Sequence, residues 1–266
     1  MAPTEQQLAA ARRVAAAAVR IPGVLAVSLG GSFSYGLADA ASDLDLHTYV
    51  RAPLADNAAR AAQLAAVADP DSLRVGVTTW GLEDHLRVDG RLVELVYVDL
   101  DELLASAGRA YGEGIVDEAF VTAQLAYVAG GTPLVDSTGE LAALRGRLLE
   151  SYPEPTRRAL LRDNPGRLRA YLAQLRTAQA RGDLLYVQHR RYSVQLVFFN
   201  LLFALNRYYH PGEKRLHLHG ERCPLRPRDL TERWMDIARL PADDMALADL
   251  LGELVDELLE LAEKEQ

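Results

Sequence analysis

Two apolar runs, Val24 to Leu29 and Leu44 to Val50, bracket a short polar segment that constrains the fold more than any other. The segment opens on Gly30-Gly31-Ser32 and, ten residues further on, reaches Ser42-Asp43-Leu44-Asp45-Leu46. If both runs are strands, the chain leaves the first through a glycine turn and enters the second on an aspartate. Side chains two apart on a strand share a face, so Asp43 and Asp45 project together. Two carboxylates held that way repel unless a cation stands between them, and a divalent metal is the usual one. The glycine turn beside them suits a phosphate, because N–H groups without side-chain cover can approach its oxygens closely.

If the site holds two divalent ions, Asp43 and Asp45 cannot by themselves satisfy both, and a third acid is expected on a neighbouring strand facing the same way. The run Arg91 to Val98 offers Glu94, an acid among Val93, Leu95 and Val96. A carboxylate inside an apolar strand is costly unless it is paired or bound to metal. Asp99 and Asp101 are rivals at the strand's end, where acids are common. His47 continues the face of Asp45 and reads either as a further ligand or as a packed histidine beneath the site. Tyr35 and Gly36 shape the intervening loop, and the Ser42 hydroxyl is expected to stabilise the turn before the second strand.

The pattern Gly30-Gly31-Ser32, Tyr35-Gly36, Ser42-Asp43-Leu44-Asp45-Leu46 resembles the signature of the DNA polymerase β-like nucleotidyltransferase superfamily. Within it, the pattern is most similar to the small-molecule branch that includes aminoglycoside adenylyltransferases. The resemblance implies Mg²⁺-dependent transfer of a nucleoside monophosphate, AMP from ATP being the expected donor, to a hydroxyl of a small, cationic, aminoglycoside-like acceptor. It implies two Mg²⁺ ions during turnover, held by Asp43, Asp45 and Glu94, with Glu94 as metal ligand, general base or both. Gly30, Gly31 and Ser32 would cradle the triphosphate. Phosphoryl transfer of this kind depends on positioning and neutralisation of charge, so a cationic side chain is also expected. Lys214 is that candidate, backed by Arg207 or Arg215, in the segment Asn206 to Arg215 that ends a long apolar helix. Tyr208 or Tyr209 could stack on the base or simply pack.

Net charge, −8 over 266 residues, bears on the class of partner. Grip on long nucleic acid draws on a basic excess, so a small or cationic acceptor is favoured over a polynucleotide. The alternatives are transfer to a protein or tRNA, as in some toxin–antitoxin systems, and a catalytically inactive nucleotide-binding module. No apolar stretch has membrane-spanning length, the N-terminus lacks a secretory pattern, and the single Cys223 precludes an intrachain disulfide; a cytoplasmic location is expected. No Walker loop or dinucleotide fingerprint is present. His210, His217, His219 and Cys223 gather in the sequence, but their spacing matches no standard zinc module.

Periodicity predicts an α+β fold: a small mixed-sheet domain over residues 1–110, then an all-α helical bundle over 111–266. Helices are expected over 5–20 and 54–68, and strands over 24–29, 44–51, 73–80 and 91–98, the last entered through an Asp89-Gly90 hairpin turn. Beyond residue 100, helices are expected near 101–109, 116–129, 139–150, 156–163, 165–181, 184–209, 227–239 and 243–264. Breaks are expected at Asn164-Pro165, at Gly182 and along His210 to Pro227.

Overall fold

The computed structural model describes residues 3–39, 42–78, 81–116 and 120–265. The fold is α+β, a mixed six-stranded sheet with helices followed by a helical region. It divides into two compact units: Met1–Ala107 with Gln124–Ser151, and Gly108–Ala123 with Tyr152–Gln266. No helix among the described residues is long and apolar enough to cross a membrane.

The first unit is built on strands β1 (Val24–Leu29), β2 (Leu44–Val50), β3 (Arg74–Val77), β4 (Glu83–Val88), β5 (Arg91–Asp99) and β6 (Thr132–Asp136), in the order β3-β4-β5-β2-β1-β6. Only β2 and β5 pair parallel; the other neighbours are antiparallel. Helices α1 (Glu5–Ala18) and α3 (Asn57–Leu64) pack on the sheet. Thr4 starts α1 through a capping box with Gln7, which satisfies N–H groups the first turn would leave open. Its buried face is mostly alanine, with Val14, so the helix can lie close to the strands. Beneath it, Leu44, Leu46, Val93, Leu95 and Leu86 are fully buried, each contributing about 1.5–3 kcal/mol. Strand alternation sends Ser28, Asp45, His47, Tyr49, Glu94, Glu83 and His85 to the opposite face. One face of the sheet therefore holds the core, and the other carries polar groups. Helices α2 (Gly31–Ser34), α4 (Leu100–Gly112), α5 (Ala123–Gly130) and α6 (Glu140–Glu150) complete the run to residue 150, with α4 passing from the first unit into the second at Gly108.

In the second unit α7 (Glu154–Ala180) and α8 (Leu184–Leu205) form an antiparallel hairpin, turned at Gly182 (φ +68°) and recapped by Asp183, which accepts from the Tyr186 N–H. Every residue from Val197 to Leu205 is buried, as expected of a helix apolar all round at the centre of a bundle. Helices α9 (Leu216–Gly220), α10 (Leu230–Arg239) and α11 (Ala246–Glu263) close around it, with Phe198, Phe199 and Trp234 in mutual ring contact.

Several elements differ from the sequence expectation. Pro165 does not break the helix, because Leu161, Leu168, Leu172 and Leu175 hold both sides of it in the bundle core. Strand β4 and edge strand β6 were not anticipated. Since β6 pairs with β1, residues 124–151 join the sheet unit, whereas a boundary at 110 sets them with the helices. Helix α3 starts only at Asn57, where Asp56 caps it, and α5 starts at Ala123 rather than near 116. The expected strand to Trp80 ends at Val77, with Thr79 and Trp80 outside the described residues. The short α9 occupies part of the expected loop.

Candidate active site

The site is assembled where β1 ends beside the start of β2. The Gly30 N–H donates to the Asp45 carbonyl at 2.8 Å, the last rung of that pairing. The chain then turns into the single turn α2 through Gly31, at φ +57°. Both glycines are demanded by what lies against them. A Cβ on Gly31 would stand 1.6 Å from Asp45 Oδ2, and one on Gly30 would stand 2.3 Å from His47 Nδ1. The turn is thus pressed directly onto the two polar side chains that β2 presents there.

Downstream, the Ser42 hydroxyl donates to Asp39 at 3.1 Å and accepts from the Asp39 N–H at 2.9 Å. This is the turn-stabilising role expected of Ser42. Arg91 Nη1 donates to the Ser42 carbonyl at 3.0 Å, tying the entry of β2 to that of β5. Asp43 lies just ahead of β2 and is exposed, while Asp45 is half-buried inside it. In the parallel pairing Asp45 is the direct partner of Glu94, also half-buried. Strand spacing sets the two backbones about 4.8 Å apart, and both side chains leave from the same face. Among the described residues no three His, Cys, Asp or Glu side chains are gathered to hold a metal ion; neighbouring carboxylates repel one another when no cation draws them in.

His47 is buried, and its ring stacks on Tyr127 with centroids 4.7 Å apart. Burial lowers its pKa to about 4, so the ring is neutral at pH 7. Next to it Ser28 and Tyr49 share a hydrogen bond at 3.3 Å, and burial pushes the Tyr49 hydroxyl up to about 12.

Sequence reasoning missed two neighbours of Glu94. His85 pairs with Glu94 across β4 and β5, and its Nε2 lies 3.0 Å from Oε2 of buried Glu83. The row Asp45–Glu94–His85 therefore crosses three adjacent strands on one face. The available signal was the Asp89-Gly90 turn, which requires a strand before it as well as after it.

The remaining candidates belong to the second unit. Lys214 is exposed and lines a cleft of about 340 Å³ with Phe120, Tyr192, Gln195 and Leu216. Arg207 is committed to Glu154 through an Nε–Oε1 contact of 2.5 Å. Tyr208 bonds His219 Nδ1 at 2.9 Å, and Tyr209 packs on Tyr152. His219 is engaged by Tyr208, and Cys223 is buried with its Sγ against the His219 carbonyl.

A family model described as a domain of unknown function (DUF4037) matches residues 118–216. No curated protein matches the chain. Among solved structures, the chain is similar to a nucleotidyltransferase-like protein from Exiguobacterium sibiricum 255-15. Identity is 13%, the match covers 97% of this chain and 75% of that one, and the TM-score is 0.48.

Proposed function

We propose that the chain is a nucleotidyltransferase that moves a nucleoside monophosphate, AMP from ATP, to a hydroxyl of a small cationic acceptor. The observation that carries the reading is the in-register pair Asp45–Glu94 beside a glycine turn that touches the same Asp45 carboxylate. That turn fits a metal-bound phosphate. It has no side chain of its own at the point where it meets the carboxylate, so its backbone lies closer to that carboxylate, and to a metal held there, than any other residue would allow. Asp45 and Glu94, with exposed Asp43 one strand step earlier, would hold Mg²⁺. Oxygen donors of this kind suit that ion, which when bound neutralises charge on the phosphoryl oxygens. Gly30, Gly31 and Ser32 would hold the phosphates in line with the acceptor oxygen, which would give up its proton to Glu94 and bond to the α-phosphorus as pyrophosphate leaves. Acidic groups on this face and the net charge of −8 support a cationic acceptor over a polynucleotide.

The test is transfer of label from α-labelled ATP with Mg²⁺, offered an aminoglycoside panel and, separately, whole-cell extract. Asp43→Ala and Asp45→Asn should each reduce transfer by about two to three orders of magnitude with unchanged circular dichroism. Wild-type transfer by either variant would overturn the assignment, and label in a protein or RNA band would overturn the small acceptor.

A further inference from the structure

His47 is 8% exposed, yet its buried Nδ1 has no hydrogen-bond partner among the described residues. An interior polar atom left unpaired costs about 1–3 kcal/mol, and such atoms call for a physical explanation, a ligand among them. The position of this nitrogen supplies one. It stands against Gly30, in the space a side chain there would fill, and so borders the same turn that meets Asp45. Tyr127 stacks on the ring and fixes its plane. A ring nitrogen that carries hydrogen is a donor, whatever the state of the other nitrogen. With hydrogen on Nδ1, the atom against the turn is a donor that no acceptor among the described residues satisfies.

We propose that His47 is a further binding residue of this turn: in its Nδ1–H tautomer it donates a hydrogen bond to a phosphate oxygen of the bound nucleotide. The proposal rests on the nucleotidyltransferase reading and adds to it a side-chain donor from inside the sheet, beyond the backbone and the metal. It also gives Gly30 a second reason to be glycine, since any side chain there would take the place of the nitrogen.

The experiment is long-range proton–nitrogen NMR on the full chain labelled with ¹⁵N-histidine, with His47→Asn used to assign the resonance. Probes are the α,β-methylene analogue of ATP with Mg²⁺, pyrophosphate with Mg²⁺, and inorganic phosphate. The expected result is a protonated Nδ1 whose shift moves on addition of the analogue. His47→Leu should weaken analogue binding about tenfold, while His47→Asn, whose amide can donate from the same place, should restore most of it. A shift with pyrophosphate or inorganic phosphate as well would assign the contact to phosphate in general, and one with the analogue alone to a phosphate held through its nucleoside; either supports the proposal. Hydrogen on Nε2 instead, or an unmoved resonance while the analogue binds, would overturn it. Binding lost in Asp45→Asn but unchanged in His47→Leu overturns the His47 role alone. A wild-type chain that binds neither the analogue nor pyrophosphate overturns the nucleotide reading with it.

Discussion

Gly31 and Gly36 offer a controlled measurement of how tightly the turn is pressed on Asp45. Both sit in the left-handed region, at φ +57° and +67°, so alanine at either position carries a backbone cost of about 1–2 kcal/mol. They differ in their surroundings. A Cβ on Gly36 meets nothing within 4 Å, whereas one on Gly31 falls 1.6 Å from Asp45 Oδ2, 2.6 Å from its Cγ and 3.0 Å from its Cβ. The carboxylate must swing off the turn, an intrusion costing about 1–3 kcal/mol. Gly36→Ala should therefore destabilise by about 1–2 kcal/mol and Gly31→Ala by about 2–5 kcal/mol. In an Asp45→Ala background the collision with the carboxylate is gone and only the alanine Cβ remains, 3.0 Å away, so Gly31→Ala should fall most of the way back to the Gly36 value. Urea unfolding followed by far-UV circular dichroism on the four chains of the cycle reads this as a coupling of about 1–3 kcal/mol. If Gly31→Ala costs no more than Gly36→Ala, or costs the same with and without the Asp45 carboxylate, the contact does not exist as described.

Elsewhere, Asp84 is fully buried and accepts from Arg60 Nε and Nη2, the Tyr97 hydroxyl and the Gly76 N–H. Asp84→Ala strands the buried guanidinium and should destabilise by about 3–5 kcal/mol in the same urea assay, and a loss under about 1 kcal/mol would mean the pair is solvated. His210, wedged against Phe120 and Phe203, has its pKa lowered from 6.5 to about 3 by burial and then by nearby His219. The unfolded chain therefore binds a proton on this residue that the native chain refuses, so its contribution is complete above about pH 6.5 and is lost as pH falls toward 3. From pH 7 to pH 5 that loss is about 2 kcal/mol. His210→Phe should flatten the dependence of unfolding free energy on pH over that interval, and an unchanged slope would show the ring to be protonated in the fold.

What could be read from the sequence was local, and what could not was carried by partners far along the chain. β1, β2 and β5 announce themselves because each is an apolar run bounded by a turn or break, and period-two alternation places Asp45 and Glu94 on their strands' polar faces without further knowledge. Their register, one directly beside the other, depends on a parallel pairing that spans α3, β3 and β4, which no local pattern specifies. β4 escaped notice for a related reason. Its core-facing positions are Asp84, Leu86 and Val88, and the first breaks the apolar alternation. Asp84 is admitted to the core only because Arg60 neutralises it from 24 residues away. β6 carries Pro133, which a strand tolerates at a sheet edge, and only the finished strand order shows that β6 lies at one. Pro165 reverses the case: its local rule is strong, and the leucines on either side of it, packed in the bundle core, outweigh it. The site divides along the same line. Gly30, Gly31 and Asp45 are legible as a motif because the chain brings them together within two strands. His47 and His85 acquire meaning only through Tyr127 and Glu94, neither of which their own neighbourhoods in the sequence could name.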